Sequence, residues 1–159
     1  MPTTTSPWGD ASKILAAAGI EEDATYYREF TTEEQKAVLT VPMRIQDAWE
    51  HNDADRFAAL FTENGSLLMQ DTQMTSREAI RSFMAAGFQG AFRGARVRGF
   101  PLAVKFLDAD TALVVSQGGI QLEGETTTAP ERQVRITWVI VKRDGELKLL
   151  SHQSSPIKG

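Results

Sequence analysis

The chain has no cysteine and only two histidines, His51 and His152. The first absence excludes a disulfide framework, a thiolate metal site and a cysteine nucleophile, and it fits a reducing compartment. The second leaves few groups that titrate near neutrality. No apolar run is long enough to span a bilayer, and the N-terminus has no charged segment leading into an apolar one, so neither a membrane span nor a signal peptide is expected. The net charge of −4 is spread over both signs, which leaves no footprint for nucleic acid. No repeat, phosphate-binding glycine loop, His-x-x-x-His pair or ordered Ser-His-Asp set is present. A cytoplasmic protein with no cofactor, no metal, no nucleic-acid partner and no membrane partner is expected. At 159 residues the chain suits one folded domain with a real core.

What is present is organised around residues 133–154. Asp144-Gly145 between two runs rich in β-branched and aromatic residues predicts a hairpin with a type I′ turn. Continuing the pairing from that turn puts Trp138 opposite Ser151 and Ile136 opposite Gln153. One face then carries Val134, Ile136, Trp138, Ile140, Leu147, Leu149, Ser151 and Gln153. The other carries Arg135, Thr137, Val139, Val141, Leu150, His152 and Ser154. Both faces need cover, by helices on one side and a second subunit on the other.

Upstream, residues 1–30 read as a partly ordered N-terminal arm and residues 31–159 as the domain. Residues 1–10 look loose except for Trp8, which is expected to dock, and residues 12–18 can form a short helix. Thr31-x-x-Glu34 and Thr32-x-x-Gln35 both fit a capping box, so a helix starts there in either register. Val38, Val41, Ile45, Ala48 and Trp49 share its inner face, and Pro42 predicts a kink or a restart capped by Thr40. A second helix is expected over 54–61, stopped by Asn64-Gly65. A short strand follows over 66–70. A third helix capped by Thr75 runs to about 91. Long strands follow over 95–107, bent at Gly99 and Pro101, and over 111–122, bent at Gly118-Gly119. Helices followed by long antiparallel strands make an α+β fold.

Asp47-Ala-Trp49, the run from Asn52 to Gly65, Arg77-Glu-Ala-Ile80, Asp144-Gly145 and Ser151-His-Gln-Ser-Ser155 together resemble the NTF2-like (SnoaL-like) superfamily. The SgcJ/EcaC branch, associated with polyketide and enediyne pathways, is the most similar. The resemblance implies a cone: a curved, mostly antiparallel sheet wrapped around three helices with an internal cavity. Pro42 in the first helix and Leu147, where many relatives have Trp, depart from the pattern. Such a cavity is by default a small-molecule site, but the fold alone does not name the chemistry.

Two residues are candidates for catalysis. An unperturbed His152 titrates near neutrality, although it reads more readily as a satisfied histidine under the sheet or at a subunit contact. Asp71 stands where a cavity mouth would be, or in a simple turn. Candidate ligand contacts are Trp49, Phe61, Met69, Phe83, Met84, Phe88, Phe100 and Trp138, which can equally fill a core. Gln153 is the polar end of the apolar hairpin face. Arg135 shares a face with His152 and can bind an anionic oxygen if that face looks inward. Three readings follow. The first is a cavity protein that binds or acts on an apolar polyene or polyketide intermediate of antibiotic biosynthesis. The second is a cofactor-free isomerase, dehydratase or cyclase. The third is a non-catalytic dimerisation module. The hairpin's second face predicts a homodimer built through the sheet.

Overall fold

The helices begin where a short polar side chain can cap them. In the computed structural model, which describes residues 7–69 and 71–157, Asp10 accepts from the Lys13 amide and opens α1, Ala11–Ala17. Thr32 opens α2, Glu33–Glu50, through a complete capping box with Gln35, so the second of the two expected registers forms. Asp53 caps α3, Ala54–Ala59. Ser76 caps α4, Arg77–Gln89, one residue later than the expected Thr75. A 3-10 turn, Ala24–Tyr27, lies between α1 and α2. Helix α2 runs through Pro42 without a restart. Thr40 instead donates its hydroxyl back to the Ala37 carbonyl at 2.6 Å. The expected looseness of residues 1–10 falls partly on 1–6, which lie outside the described residues, as do Gln70, Lys158 and Gly159.

Six strands form one sheet: β1 (Phe61–Met69), β2 (Thr72–Met74), β3 (Arg96–Asp108), β4 (Thr111–Gln121), β5 (Gln133–Arg143) and β6 (Glu146–Pro156), in the order β2-β1-β6-β5-β4-β3. All pairs are antiparallel except β1 with β6. Asp144 and Gly145 turn the last hairpin with φ of 53° and 78°, as a type I′ turn requires. From the turn, Lys142 pairs with Leu147 and Ile140 with Leu149, but Val139 then pairs with Ser151. Leu150 is left over as a β-bulge. Beyond it the expected partners are replaced: Trp138 faces His152 and Ile136 faces Ser154. A shift of one residue moves every later side chain to the other face. His152 and Ser154 therefore join Trp138 inside, and Ser151 and Gln153 turn outward.

Two further expectations are corrected. Helix α3 ends at Ala59, and Phe61 already belongs to β1. Asn64-Gly65 does not stop a helix. Residues 62–65 loop out inside β1, between the pairs Phe61–Leu149 and Ser66–Ser151. The bends expected in β3 and β4 are present. Leu102 is unpaired after Pro101, and Gly99 lies opposite Gly118. A Cβ at Gly118 would stand 2.3 Å from the Arg98 carbonyl oxygen, so only glycine allows this close approach.

The core lies between the helices and the inner sheet face. Trp49 is its centre, with Phe57, Phe88 and Phe92 edge-on at 6.3, 5.2 and 5.3 Å. The described part of the arm belongs to this core. Trp8 packs on Phe106 at 5.2 Å, and Leu15, Tyr26 and Tyr27 are buried. Asn52, at φ 46°, ties the end of α2 to the segment before β3. Its amide donates to the carbonyls of Trp49 and Ala95 at 2.7 and 2.9 Å and accepts from the Gly94 amide at 2.6 Å. Replacing Asn52 with Ala removes all three bonds and leaves a β-carbon in the left-handed region. Urea denaturation should show a loss of about 2–4 kcal/mol; an unchanged midpoint would mean that the clamp is idle.

Candidate functional site

Where the inner face of β3 to β6 meets α2, the side chains do not fill the space. A cavity of about 530 Å³ remains, walled by Ile45, Trp49, Val97, Ile136 and Trp138, with Gly99, Gly118 and Gly119 forming part of its floor. Gly99 and Gly118 let β3 and β4 approach closely, and Gly119 does the same against the Arg132 carbonyl, which a Cβ there would meet at 2.3 Å. A volume of this size suits a small organic molecule.

The polar groups are few. Trp138 donates its indole N–H to Ser116 Oγ at 2.7 Å, so that donor is satisfied. His152 lies edge-on to Trp138, with ring centroids 4.4 Å apart. It lines the cavity, yet its Nδ1 is buried with no hydrogen-bond partner among the described residues. Burial disfavours the imidazolium and lowers the His152 pKa from 6.5 to about 4, so the ring is neutral at physiological pH. Charge is confined to the mouth. Arg98 pairs there with Glu50 at 3.1 Å, and Arg132 is held by Glu125 and by the Ile120 carbonyl at 3.1 Å. Asp71 and Glu131 are exposed at the same rim. Among the described residues no group of His, Asp and Glu is placed to hold a metal ion, and no helix is long and apolar enough to cross a membrane.

Of the candidates from the sequence, Trp49, Met69, Asp71, Trp138 and His152 line the cavity. Phe61, Met84 and Phe88 are packed in the core away from it, and Phe83 is half-buried against that core. Phe100 is exposed and covered by the Arg28 guanidinium at 4.7 Å. The bulge at Leu150 explains the remaining corrections. Gln153 lies on the outer face, where its amide reaches Ser151 Oγ at 3.2 Å and Ser66 Oγ at 3.4 Å. Arg135 is exposed and bonds Gln117 at 3.2 Å, on the face opposite His152. Leu147 lies at the other end of the hairpin and lines a separate pocket of about 380 Å³ beside Trp8. Sequence reasoning missed Tyr26, Phe92 and Ser116 as wall residues. For Ser116 the signal was available, since it shares the inward parity of Val114 on β4.

The family model for the SnoaL-like domain matches residues 38–158. No curated protein matches the sequence. Among solved structures, a domain of unknown function with a cystatin-like fold from Nostoc punctiforme is similar at 24% identity and a TM-score of 0.73, covering 81% of this chain and 80% of its own. A putative calcium/calmodulin-dependent protein kinase II association domain from Xanthomonas campestris follows at 22% identity and 0.66, covering 80% and 90%. An NTF-2-like protein of unknown function from Shewanella oneidensis is similar at 15% and 0.59, covering 74% and 95%. At these identities the likeness is one of fold, and that fold is the expected α+β cone, here with a fourth helix from the arm.

The neutral His152 links stability to pH. The unfolded chain protonates this histidine below 6.5, whereas the folded chain resists until about 4. Its contribution is therefore fully present above pH 6.5 and is lost as pH falls towards 4, by about 3 kcal/mol in total. Denaturation midpoints of the wild type and His152→Phe, measured between pH 7 and 4.5, should diverge, with the variant falling less. Parallel curves would show that the histidine is not buried neutral.

Proposed function

The chain belongs to the SnoaL-like domain family, and on that premise we propose that it binds, or acts on, an apolar conjugated polyene of the polyketide or enediyne type. One observation carries this reading: an apolar cavity of about 530 Å³ has in its wall an uncharged histidine whose buried Nδ1 has no hydrogen-bond partner among the described residues. An unsatisfied buried polar atom costs about 1–3 kcal/mol, and a ligand toward which the His152 ring turns this nitrogen would recover that loss. The rest of the affinity comes from apolar burial, at about 25 cal/mol per Å². The orienting role expected of Gln153 passes to His152. The enediyne-type setting rests on the sequence resemblance.

A cofactor-free isomerase, dehydratase or cyclase is the second reading, favoured by the presence of His152 in the cavity wall. With a pKa of about 4 this histidine is a weak base at neutral pH, and the carboxylates that line the cavity, Asp71 and Glu131, sit exposed at the rim. Binding is therefore the stronger reading. A filled interaction module fits less well, because the cone is not filled.

The ligand test uses 1,6-diphenylhexatriene, a rod-shaped polyene. It should quench fluorescence from Trp49 and Trp138 with saturation, and Gln153→Leu should leave the affinity within about twofold because that side chain lies outside. No saturable quenching would remove the polyene reading.

The outer sheet face carries Val115, Thr137 and Val139, each half-buried in the single chain; Val141, expected on that face, is already buried. We propose that a second copy covers this face, in line with the name association domain given to the Xanthomonas relative. Sedimentation at micromolar concentration should give a dimer, and Val139→Asp should give a monomer that still binds diphenylhexatriene. A wild-type monomer would refute the assembly.

A further inference from the structure

Tyr26 reaches the cavity from the arm, outside the segment matched by the family model. Its 3-10 turn is pinned on both sides. Asp23 caps the turn through the Thr25 amide at 3.0 Å, and Tyr27 donates its hydroxyl to Glu22 at 2.7 Å. Arg28 then donates to the Pro101 carbonyl at 3.3 Å and lies over the Phe100 ring, fixing the turn to the edge strand β3. The two neighbouring tyrosines differ. The Tyr27 hydroxyl has a partner. The Tyr26 hydroxyl has none among the described residues, although the residue is only 8% exposed. The residue lines the cavity, and its hydroxyl is not fully buried, so the phenol is a donor still open to a ligand. Burial pushes its pKa up, so it remains a protonated donor throughout the physiological range.

We propose that Tyr26 is a specificity-determining residue of this cavity, donating its hydroxyl to a neutral carbonyl oxygen, so that the ligand class is a conjugated ketone rather than a hydrocarbon or a carboxylate. The inference rests on the cavity reading given above. A carboxylate is disfavoured because both arginines at the mouth, Arg98 and Arg132, are already paired with glutamates and the interior histidine is neutral. A hydrocarbon leaves both Tyr26 and His152 unsatisfied. A neutral ketone satisfies the phenol without bringing charge into an apolar space.

The test compares two rod-shaped probes of similar size on the full chain: 1,6-diphenylhexatriene and the conjugated ketone cinnamylideneacetophenone. Both are followed by tryptophan quenching. Tyr26→Phe keeps the ring and removes the hydroxyl. The variant should melt at or slightly above the wild-type temperature, since it loses a group without a partner. It should bind the ketone about three- to tenfold more weakly, with diphenylhexatriene unchanged within twofold. Equal effects on both probes, no effect on the ketone, or a clear drop in melting temperature would each overturn the role of Tyr26 while leaving the cavity reading in place. Failure of the wild type to bind either probe would overturn both, so the two failures can be told apart.

Discussion

Between Leu149 and Ser151, strand β6 carries one residue with no partner on β5, and the character of the cavity depends on it. On the turn side of Leu150, the Asp144-Gly145 turn sets the register and the apolar Leu147 and Leu149 point into the core. On the far side the parity is reversed. The irregularity is shared with β1, which loops out residues 62–65 at the same level, while β5 runs straight past it. The polar run Ser151-His-Gln-Ser-Ser155 must put half its side chains inward in either register. Without the bulge the inward residues would be Ser151 and Gln153, and an amide has four hydrogen-bonding sites to satisfy. With it, Gln153 finds Ser66 and Ser151 outside, and the imidazole goes in. An imidazole can shed its charge, has only two ring nitrogens to satisfy and stacks edge-on against Trp138. The register seen is the cheaper burial, and it is also the one that arms the cavity with a titratable ring.

This is also where reading the sequence stops working. Capping residues and the Asp-Gly turn carry local signals with a direct physical cause, so helix starts at Thr32 and Asp53 and the closing hairpin were legible. So was the fold class. Leu150 carries no such signal. It is an ordinary strand residue, and the bulge is dictated by what lies across the sheet. Alternation counted through it exchanges the roles of His152 and Gln153 and puts Arg135 on the wrong side. Asn64-Gly65 shows the converse. The signal marks an irregularity within β1 rather than the end of a helix: neither residue is left-handed, and Gly65 serves by close approach, since a Cβ there would stand 3.0 Å from the Thr62 carbonyl oxygen. Tyr26 was illegible for a third reason: the arm has no periodicity of its own and takes its order from Arg28 on β3 and from burial against α2.

Electrostatics separate the rim from the interior. The arginines at the mouth are held by glutamates and by backbone carbonyls, which keeps their charge local and already spent. Inside, Trp138 is paired with Ser116 and Ser154 with the Leu68 carbonyl, while among the described residues His152 Nδ1 and the Tyr26 hydroxyl have no partner. An interior of that kind is poorly suited to charge separation, since nothing fixed is placed to stabilise a developing ion except a phenol and an imidazole that ionise reluctantly. It is well suited to holding an uncharged molecule whose few oxygens match those two groups.

The unpaired groups distinguish a binding site from a packing defect. A core that evolves for stability alone removes them: phenylalanine in place of Tyr26, or leucine in place of His152, would end the desolvation cost and fill part of the void. Here both persist around the same empty volume, and they come from opposite ends of the chain, one on the arm and one on the last strand. Three glycines form part of the floor, and irregularities in β1, β3 and β6 interrupt the regular pairing around it. On the binding reading proposed above, another molecule supplies the missing contacts, and the balance of apolar wall to polar point suits one that is largely hydrocarbon, uncharged and oxygenated at one or two places.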